Sequence, residues 1–172
     1  MPLGRVFHIT CGTSRPVVRS GNGPCMEKGV LRFFFDYGAG GCLWAGDAAT
    51  LYRLGVGPVD ATLFDLKGRI SKPPCLALSQ MVRSLRDQLD SEHSCYLNPL
   101  YQPDPSLWSQ SLCDRFNTDV ERLLLLLRQE IGDNFHIVDE QTRYVEDADL
   151  NEYLAKNPSL SKMNEVVIPT VL

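Results

Sequence analysis

Cysteines and histidines are the residues of this chain whose side chains offer the widest chemistry. The six cysteines stand at positions 11, 25, 42, 75, 95 and 113, separated by 14 to 33 residues. Such gaps contain no Cys-x-x-Cys pair that could form a zinc or redox site. A nucleophilic Cys–His pair would need two distant residues to meet in space, such as Cys42 and His136. We predict instead that the cysteines are buried free thiols, that His136 is a surface residue on a strand, and that the chain holds no metal or cofactor.

A glycine-rich loop at 36–41 is the second candidate for chemistry, because glycine backbones between a strand and a helix can cradle phosphate. The loop lacks the lysine and hydroxyl of a P-loop and the glycine spacing of a dinucleotide turn. We therefore interpret it as a chain reversal. Trp44 is predicted to lie in this glycine-rich loop beside Asp36, Tyr37 and Asp47, and tryptophan and tyrosine dominate interface hot spots. The predicted partner-binding residues are Asp36, Tyr37, Trp44 and Asp47, and no catalytic residue is predicted.

The element that is best defined by the sequence is an amphipathic helix over 110–131. Ser109 can cap its start and Gly132 can end it. Seven apolar residues at spacings of three and four share one face: Leu112, Phe116, Val120, Leu123, Leu124, Leu127 and Ile131. Trp108 precedes the cap and is predicted to pack in the core. An aromatic run at 30–36 and the segment 135–140 are predicted strands of one sheet.

Weaker patterns predict the remaining elements. Asp47 can cap a short helix over 48–54 that turns Leu51 and Leu54 inward. Residues 59–66 suit a strand or an extended segment, 67–74 a loop, and 149–156 a third short helix. A helix near 79–89 separates two sets of side chains. Its apolar side comprises Met81, Val82, Leu85 and Leu89, and its polar side comprises Arg83, Arg86, Asp87 and Asp90.

These patterns predict an α+β fold in one domain, a small sheet with two main helices packed on one face. We expect the core domain at 29–141, a flexible or accessory extension at 1–28 and an acidic extension with a short helix at 142–172. Met26 precedes the first strong strand, so we expect it to be the biological start, with 1–25 an upstream extension. A short N-terminal hairpin from 5–10 and 16–19 is the alternative.

Charge and composition restrict the kind of partner. The 172 residues carry a net charge of −4, and 139–172 holds seven acidic against three basic residues. Neutralising phosphates requires clustered Lys and Arg, so nucleic acid is not expected as a partner. No apolar run approaches the roughly 20 residues of a membrane span, and no export signal precedes the first strand. The expected setting is the cytoplasm, with no membrane contact, and the expected partner is a basic protein.

Two separated motifs resemble those of a group of small, acidic, largely uncharacterised bacterial proteins. The first is Phe34-Phe35-Asp36-Tyr37-Gly38 with Cys42-Leu43-Trp44, and the second runs from Arg115-Phe116-Asn117 to Leu127-Arg128-Gln129-Glu130-Ile131-Gly132. The resemblance covers about 29–141. Some proteins of this size and composition are immunity proteins or antitoxins against bacterial toxins, and the resemblance implies that function by analogy. The chain departs from the pattern in its N-terminal segment, its acidic C-terminal segment and its cysteines.

Three functional hypotheses follow. The first is a non-enzymatic protein-binding module, in its specific form an immunity-type inhibitor of a basic bacterial toxin. The alternative is a small cytoplasmic enzyme that uses a Cys–His pair or the Asp36–Asp47 glycine-rich loop. The third is a homo-oligomeric structural protein.

Overall fold

A computed structural model describes residues 28–166 of the chain. The predictions made for Met26, for the N-terminal hairpin and for an extended piece at 167–172 lie outside the described residues. The elements in chain order are β1 (Gly29–Phe33), β2 (Leu43–Ala45), α1 (Ala48–Leu54), β3 (Leu63–Phe64), β4 (Ile70–Lys72), α2 (Gln80–Ser94), α3 (Gln110–Ile131), β5 (Phe135–Asp139) and α4 (Leu150–Lys156).

The main sheet has three strands in the order β2-β1-β5. β2 runs antiparallel to β1, with Phe33 opposite Leu43, and β5 runs parallel to β1, with Leu31 opposite Ile137. A parallel pair needs a crossover, and α2 and α3 lie within that connection. The sheet confirms that the two predicted strands pair and that the fold class is α+β.

Side chains along each strand point alternately to the two faces of the sheet, and the apolar side chains lie on the face that packs in the core. Leu31, Phe33 and Ile137 are buried, whereas Arg32 and His136 point to the exposed face. His136 is thus a surface residue, as predicted. All seven apolar residues predicted for the inner face of α3 are buried beneath this sheet. Removing these side chains from water is the main stabilising contribution to the fold.

The ends of α3 follow the capping pattern of the sequence. The Ser109 hydroxyl accepts a hydrogen bond from the Leu112 N–H at 3.3 Å, and the Gly132 N–H donates to the Arg128 carbonyl at 3.0 Å. Trp108, directly before the cap, is fully buried, which confirms its core role.

Helix α2 differs from its prediction in length and in its faces. It continues to Ser94, five residues beyond the expected end at Leu89. Met81 was expected inside and is 60% exposed. Arg86 was expected on the solvated side and is buried, because it forms an ion pair with Asp60 below the helix.

The segment after β1 contains a strand that the sequence did not predict. β2 follows the glycine-rich loop at once, so Trp44 lies in a strand and not in a loop. α1 begins and ends where expected, but Leu51 is 45% exposed, and Thr50 is the buried residue of that helix. The inward orientation predicted for Leu51 is wrong because α1 packs through Thr50, whose hydroxyl accepts the Val30 N–H.

A separate two-stranded sheet, β3-β4, forms a hairpin from segments that were assigned as extended and as loop. Its turn is held by Asp65, whose carboxylate accepts the N–H groups of Lys67 and Arg69. Gly68 takes a φ of 72°, which favours glycine. The predicted loop at 67–74 therefore contains a strand.

Residues beyond 141 contribute to the same core. Tyr144 packs in the main apolar cluster, and Leu150 of α4 is fully buried. The Met163 N–H donates to the Leu107 carbonyl at 2.7 Å, and the Ser109 N–H donates to the Met163 carbonyl at 2.9 Å. The C-terminal segment is thereby bonded to the start of α3.

Candidate functional site

Asp47, one of the four predicted partner-binding residues, performs a structural task within the fold. Its Oδ1 accepts the Thr50 N–H at 2.7 Å, and its Oδ2 accepts the Val30 N–H at 2.8 Å. These bonds cap α1 and join it to β1. They also lower the pKa of Asp47, with the Thr50 N–H as the largest cause.

Trp44 is held against the outer face of the sheet. Its ring stacks on Phe34 with centroids 5.1 Å apart, and its indole N–H donates to the Phe34 carbonyl at 3.1 Å. The Arg32 guanidinium lies over the Phe34 ring at 5.0 Å and pairs with Glu140 at 2.6 Å. This half-buried stack leaves the Trp44 ring with less free surface than a loop tryptophan would have.

Asp36 and Tyr37 lie in the turn after β1 and are both exposed. The Tyr37 N–H donates to the Asp36 carboxylate at 2.9 Å. The Tyr37 ring is 43% exposed, and its inner face stacks on His93 with centroids 4.4 Å apart. Asp36 lies beyond one end of β1, whereas Asp47 is bonded to Val30 at the other end. The two carboxylates therefore lie near opposite ends of β1 and do not form one site. The partner-binding role of the four residues stays a prediction.

His93 and Tyr144 form a buried pair that sequence reasoning missed. The Tyr144 Oη lies 2.7 Å from His93 Nδ1, and both residues are more than nine-tenths buried. Burial lowers the pKa of His93 to about 4, against an upward effect of the Asp36 carboxylate, so the imidazole is neutral near pH 7. Burial likewise raises the pKa of Tyr144. His93 Nε2 has no hydrogen-bond partner within residues 28–166.

A shallow cleft of about 350 Å³ opens beside this pair. It is lined by Arg32, Phe34, Phe35, His93, Glu140, Gln141, Thr142 and Tyr144. The carboxylate in this lining, Glu140, is bonded by both Nε and Nη2 of Arg32. His93 and Tyr144 thus line this cleft, and the same histidine supports the Tyr37 ring.

A second buried polar cluster forms around Asp60, whose side chain is fully buried. Asp60 Oδ2 lies 2.9 Å from Nη1 of Arg86, and Oδ1 accepts the Leu43 N–H at 3.0 Å. The Cys42 thiol lies 3.6 Å from the same carboxylate. Burial, and then the charge of Asp60, raise the pKa of Cys42 well above its ordinary value. The thiol therefore stays protonated and is a poor nucleophile.

The structure does not bring Cys42 and His136 together. The Cys42 carbonyl is bonded to the Phe34 N–H at one end of β1, whereas His136 lies opposite Val30. That difference of four residues along a strand corresponds to about 13 Å. Cys42 is also fully buried, and His136 is exposed on the other face. On both grounds, these two residues do not form the Cys–His pair that a nucleophilic mechanism would need.

The prediction that the cysteines are buried free thiols is confirmed for two of the four cysteines in residues 28–166. Cys42 and Cys113 are buried free thiols, and burial raises the pKa of Cys113 to about 11. Cys75 and Cys95 are exposed, which corrects the prediction for them. Cys11 and Cys25 lie outside the described residues.

Residues 28–166 contain no group of three or more His, Cys, Asp or Glu side chains placed to hold a metal ion. Over the same residues, no helix combines the length and the apolar character that crossing a bilayer requires.

Comparison of the chain with protein-family models, with curated proteins and with solved structures finds no match. The resemblance to small acidic bacterial proteins therefore stays a prediction.

Proposed function

We propose that the chain is a non-enzymatic protein-binding module whose partner presents a basic surface. The observation that carries this proposal is a segregation of charge along the described chain. Residues 28–86 contain eight basic and four acidic residues, whereas 87–166 contain six basic and sixteen acidic ones. A concentration of one sign of charge attracts and orients an oppositely charged partner.

Much of the negative charge in the second half is available to a partner. Five carboxylates there are exposed and have no ion-pair partner within 28–166: Asp114, Glu130, Asp133, Asp149 and Glu165. A surface carboxylate that stays partly hydrated in the interface gains Coulomb attraction to a basic protein at a smaller desolvation cost than a fully buried charge.

Tyr37 is the side chain best placed to act as an anchor in this interface. It is half-exposed, and its ring is supported by His93, which belongs to the C-terminal end of α2. The His93–Tyr144 hydrogen bond fixes that support. A tyrosine held in one orientation loses little entropy on binding, and tyrosine is enriched among interface hot spots. Asp36, adjacent to it, adds a carboxylate.

The specific form of the proposal is an immunity-type inhibitor that acts in a bacterial cytoplasm and covers the basic surface of a toxin. It is supported by the charge distribution and by the resemblance stated for the two motifs. A protein that inhibits a toxin by covering its surface needs no catalytic group. This agrees with a Cys42 thiol that stays protonated and a Glu140 carboxylate that is bonded to Arg32.

The experiment first captures a partner and then compares the effects of two tyrosine substitutions on binding. The full chain is immobilised, a native bacterial lysate is passed over it, and the retained protein is eluted with salt, identified and purified. Calorimetric titration then compares wild type with Tyr37→Ala and with Tyr52→Ala, a tyrosine of α1 that is 96% exposed.

We expect Tyr37→Ala to weaken binding by about thirtyfold, the effect of a hot spot of about 2 kcal/mol, and Tyr52→Ala to change it less than about twofold. A retained toxin should also become harmless to cells that co-express the chain. An acidic partner, no specific partner, or equal effects of the two substitutions would overturn the proposal.

A further inference from the structure

The β3-β4 hairpin carries exposed apolar side chains toward its turn. Phe64 and Ile70 lie opposite each other on the two strands and are 62% and 64% exposed, and Leu66 in the turn between them is fully exposed. Of the thirteen large apolar residues that are exposed within 28–166, seven fall in 51–70. Exposed apolar side chains that are concentrated in this way mark a surface that another molecule covers. We call residues 63–72 the apolar hairpin.

The apolar hairpin is also basic. Lys67, Arg69 and Lys72 stand against the single acid Asp65, and Asp65 is paired with Arg69 at 2.7 Å. Neither lysine forms an ion pair within residues 28–166. The two lysines therefore give the hairpin an excess of positive charge, and the complement of that charge is an anionic surface.

The combination of apolar side chains with lysines favours a lipid surface over a protein surface. The cores of protein interfaces are depleted in lysine. At a bilayer, apolar side chains enter the boundary between headgroups and acyl chains, while long lysine side chains keep their ammonium groups among the phosphates. Lys67 follows directly after Leu66, so the turn of the hairpin can make both contacts at once.

The charge of the remaining chain determines which end of the protein faces an anionic surface. Residues 87–166 contain six basic and sixteen acidic residues, and anionic lipids repel that half. Salt screens exposed charges over about 10 Å, so the charge nearest to the lipid has the largest effect. The basic hairpin therefore attracts an anionic bilayer even though the net charge of the chain is −4.

We propose that the apolar hairpin attaches the protein to a membrane surface that contains anionic phospholipids, with Phe64, Leu66 and Ile70 at the boundary of the acyl chains. The expectation of no membrane contact rested on the absence of an apolar run of spanning length. A hairpin that enters one leaflet from the side of the headgroups needs no such run. This attachment goes beyond the proposed function, because it needs no protein partner.

The first test is flotation of the full chain with vesicles of phosphatidylcholine alone and with vesicles that also contain about 30% phosphatidylserine, which gives them a negative surface potential. Wild type should bind the anionic vesicles, bind the neutral ones at least about tenfold more weakly, and be released as salt rises. Leu66→Ser should weaken binding to the anionic vesicles by about tenfold or more, because the buried leucine stabilises the bound state. Leu125→Ser, at a leucine of α3 that is 56% exposed, is the matched control and should bind as wild type does.

A pair of charge reversals separates the charge of the hairpin from the net charge of the protein. Lys67→Glu and Lys156→Glu change the net charge equally, and Lys156 lies in α4 with a side chain that is 70% exposed. Lys67→Glu should weaken binding by about thirtyfold, since each unit of charge at an anionic membrane changes the affinity about fivefold. Lys156→Glu should weaken it by less than about threefold. Thermal unfolding at the wild-type temperature verifies that each variant is folded.

Four results would overturn the proposal. They are a wild-type chain that binds neither kind of vesicle, equal binding to both kinds, Leu66→Ser binding as tight as wild type, and equal effects of the two lysine reversals. Self-association that Leu66→Ser abolishes, in a chain that binds no vesicles, would assign the hairpin to a second copy instead. The capture experiment above uses no lipid, so either proposal can fail alone.

Discussion

Replacing Arg86 by methionine should destabilise the protein by about 3–5 kcal/mol, the usual cost of removing one partner of a buried ion pair. The side chains of Arg86 and Asp60 are 7% and 0% exposed. At the Nη1–Oδ2 distance of 2.9 Å, two unit charges attract by about 6 kcal/mol with an effective dielectric constant near 20. Methionine keeps the apolar stem but leaves the Asp60 carboxylate buried without its counter-ion.

Urea unfolding followed by the fluorescence of buried Trp108 measures this free energy. Arg83→Met is the matched control, because Arg83 is exposed on the same helix and should change stability by less than about 0.5 kcal/mol. Adding Asp60→Asn to Arg86→Met should recover part of the loss, since both charges are then gone. An Arg86→Met protein within about 1 kcal/mol of wild type would refute the assignment of this pair as a main stabilising contact.

Three further outcomes are expected. Leu124→Asp should abolish the cooperative melt, because this residue is 2% exposed, whereas Leu125→Asp at an exposed position should keep it; equal melts would contradict the packing of α3. Iodoacetamide near neutral pH, read by peptide mass spectrometry, should modify exposed Cys95 rapidly and Cys42 slowly, and rapid loss of the Cys42 thiol would contradict its raised pKa. The folded pKa of His93 is about 4, below the 6.5 of the unfolded chain, so its contribution to stability is complete above pH 6.5 and is lost as pH falls toward 4. His93→Gln should lack this part of the pH dependence in chemical unfolding, and identical slopes in both proteins would count against it.

Local patterns were sufficient for the elements whose signals lie within one segment. The period of apolar residues and the Ser109 cap predicted both ends of α3, and the Asp47 cap predicted α1. A dense aromatic run predicted β1, and the apolar segment that follows Gly132 predicted β5. In each case the residues that decide the structure are close together in sequence.

The misassigned residues depend on contacts between distant parts of the chain. Arg86 has a solvent-facing pattern on α2, and only Asp60, 26 residues earlier, makes its burial favourable. His93 and Tyr144 are 51 residues apart, and α2 was expected to end before His93. Trp44 was assigned to a loop because a three-residue strand is too short to show alternation. Contacts between distant segments determine the structure at these residues, and local sequence patterns do not reveal such contacts.

The measurement that tests the proposed function most directly is the salt dependence of the affinity for the captured partner. Titration at about 50 and 300 mM NaCl spans a range in which exposed charges are progressively screened. If the carboxylates of 87–166 meet a basic protein, the dissociation constant should rise by about tenfold or more across that range. A dissociation constant that stays the same or falls would show that charge does not bring the two proteins together, and the proposed function would be wrong.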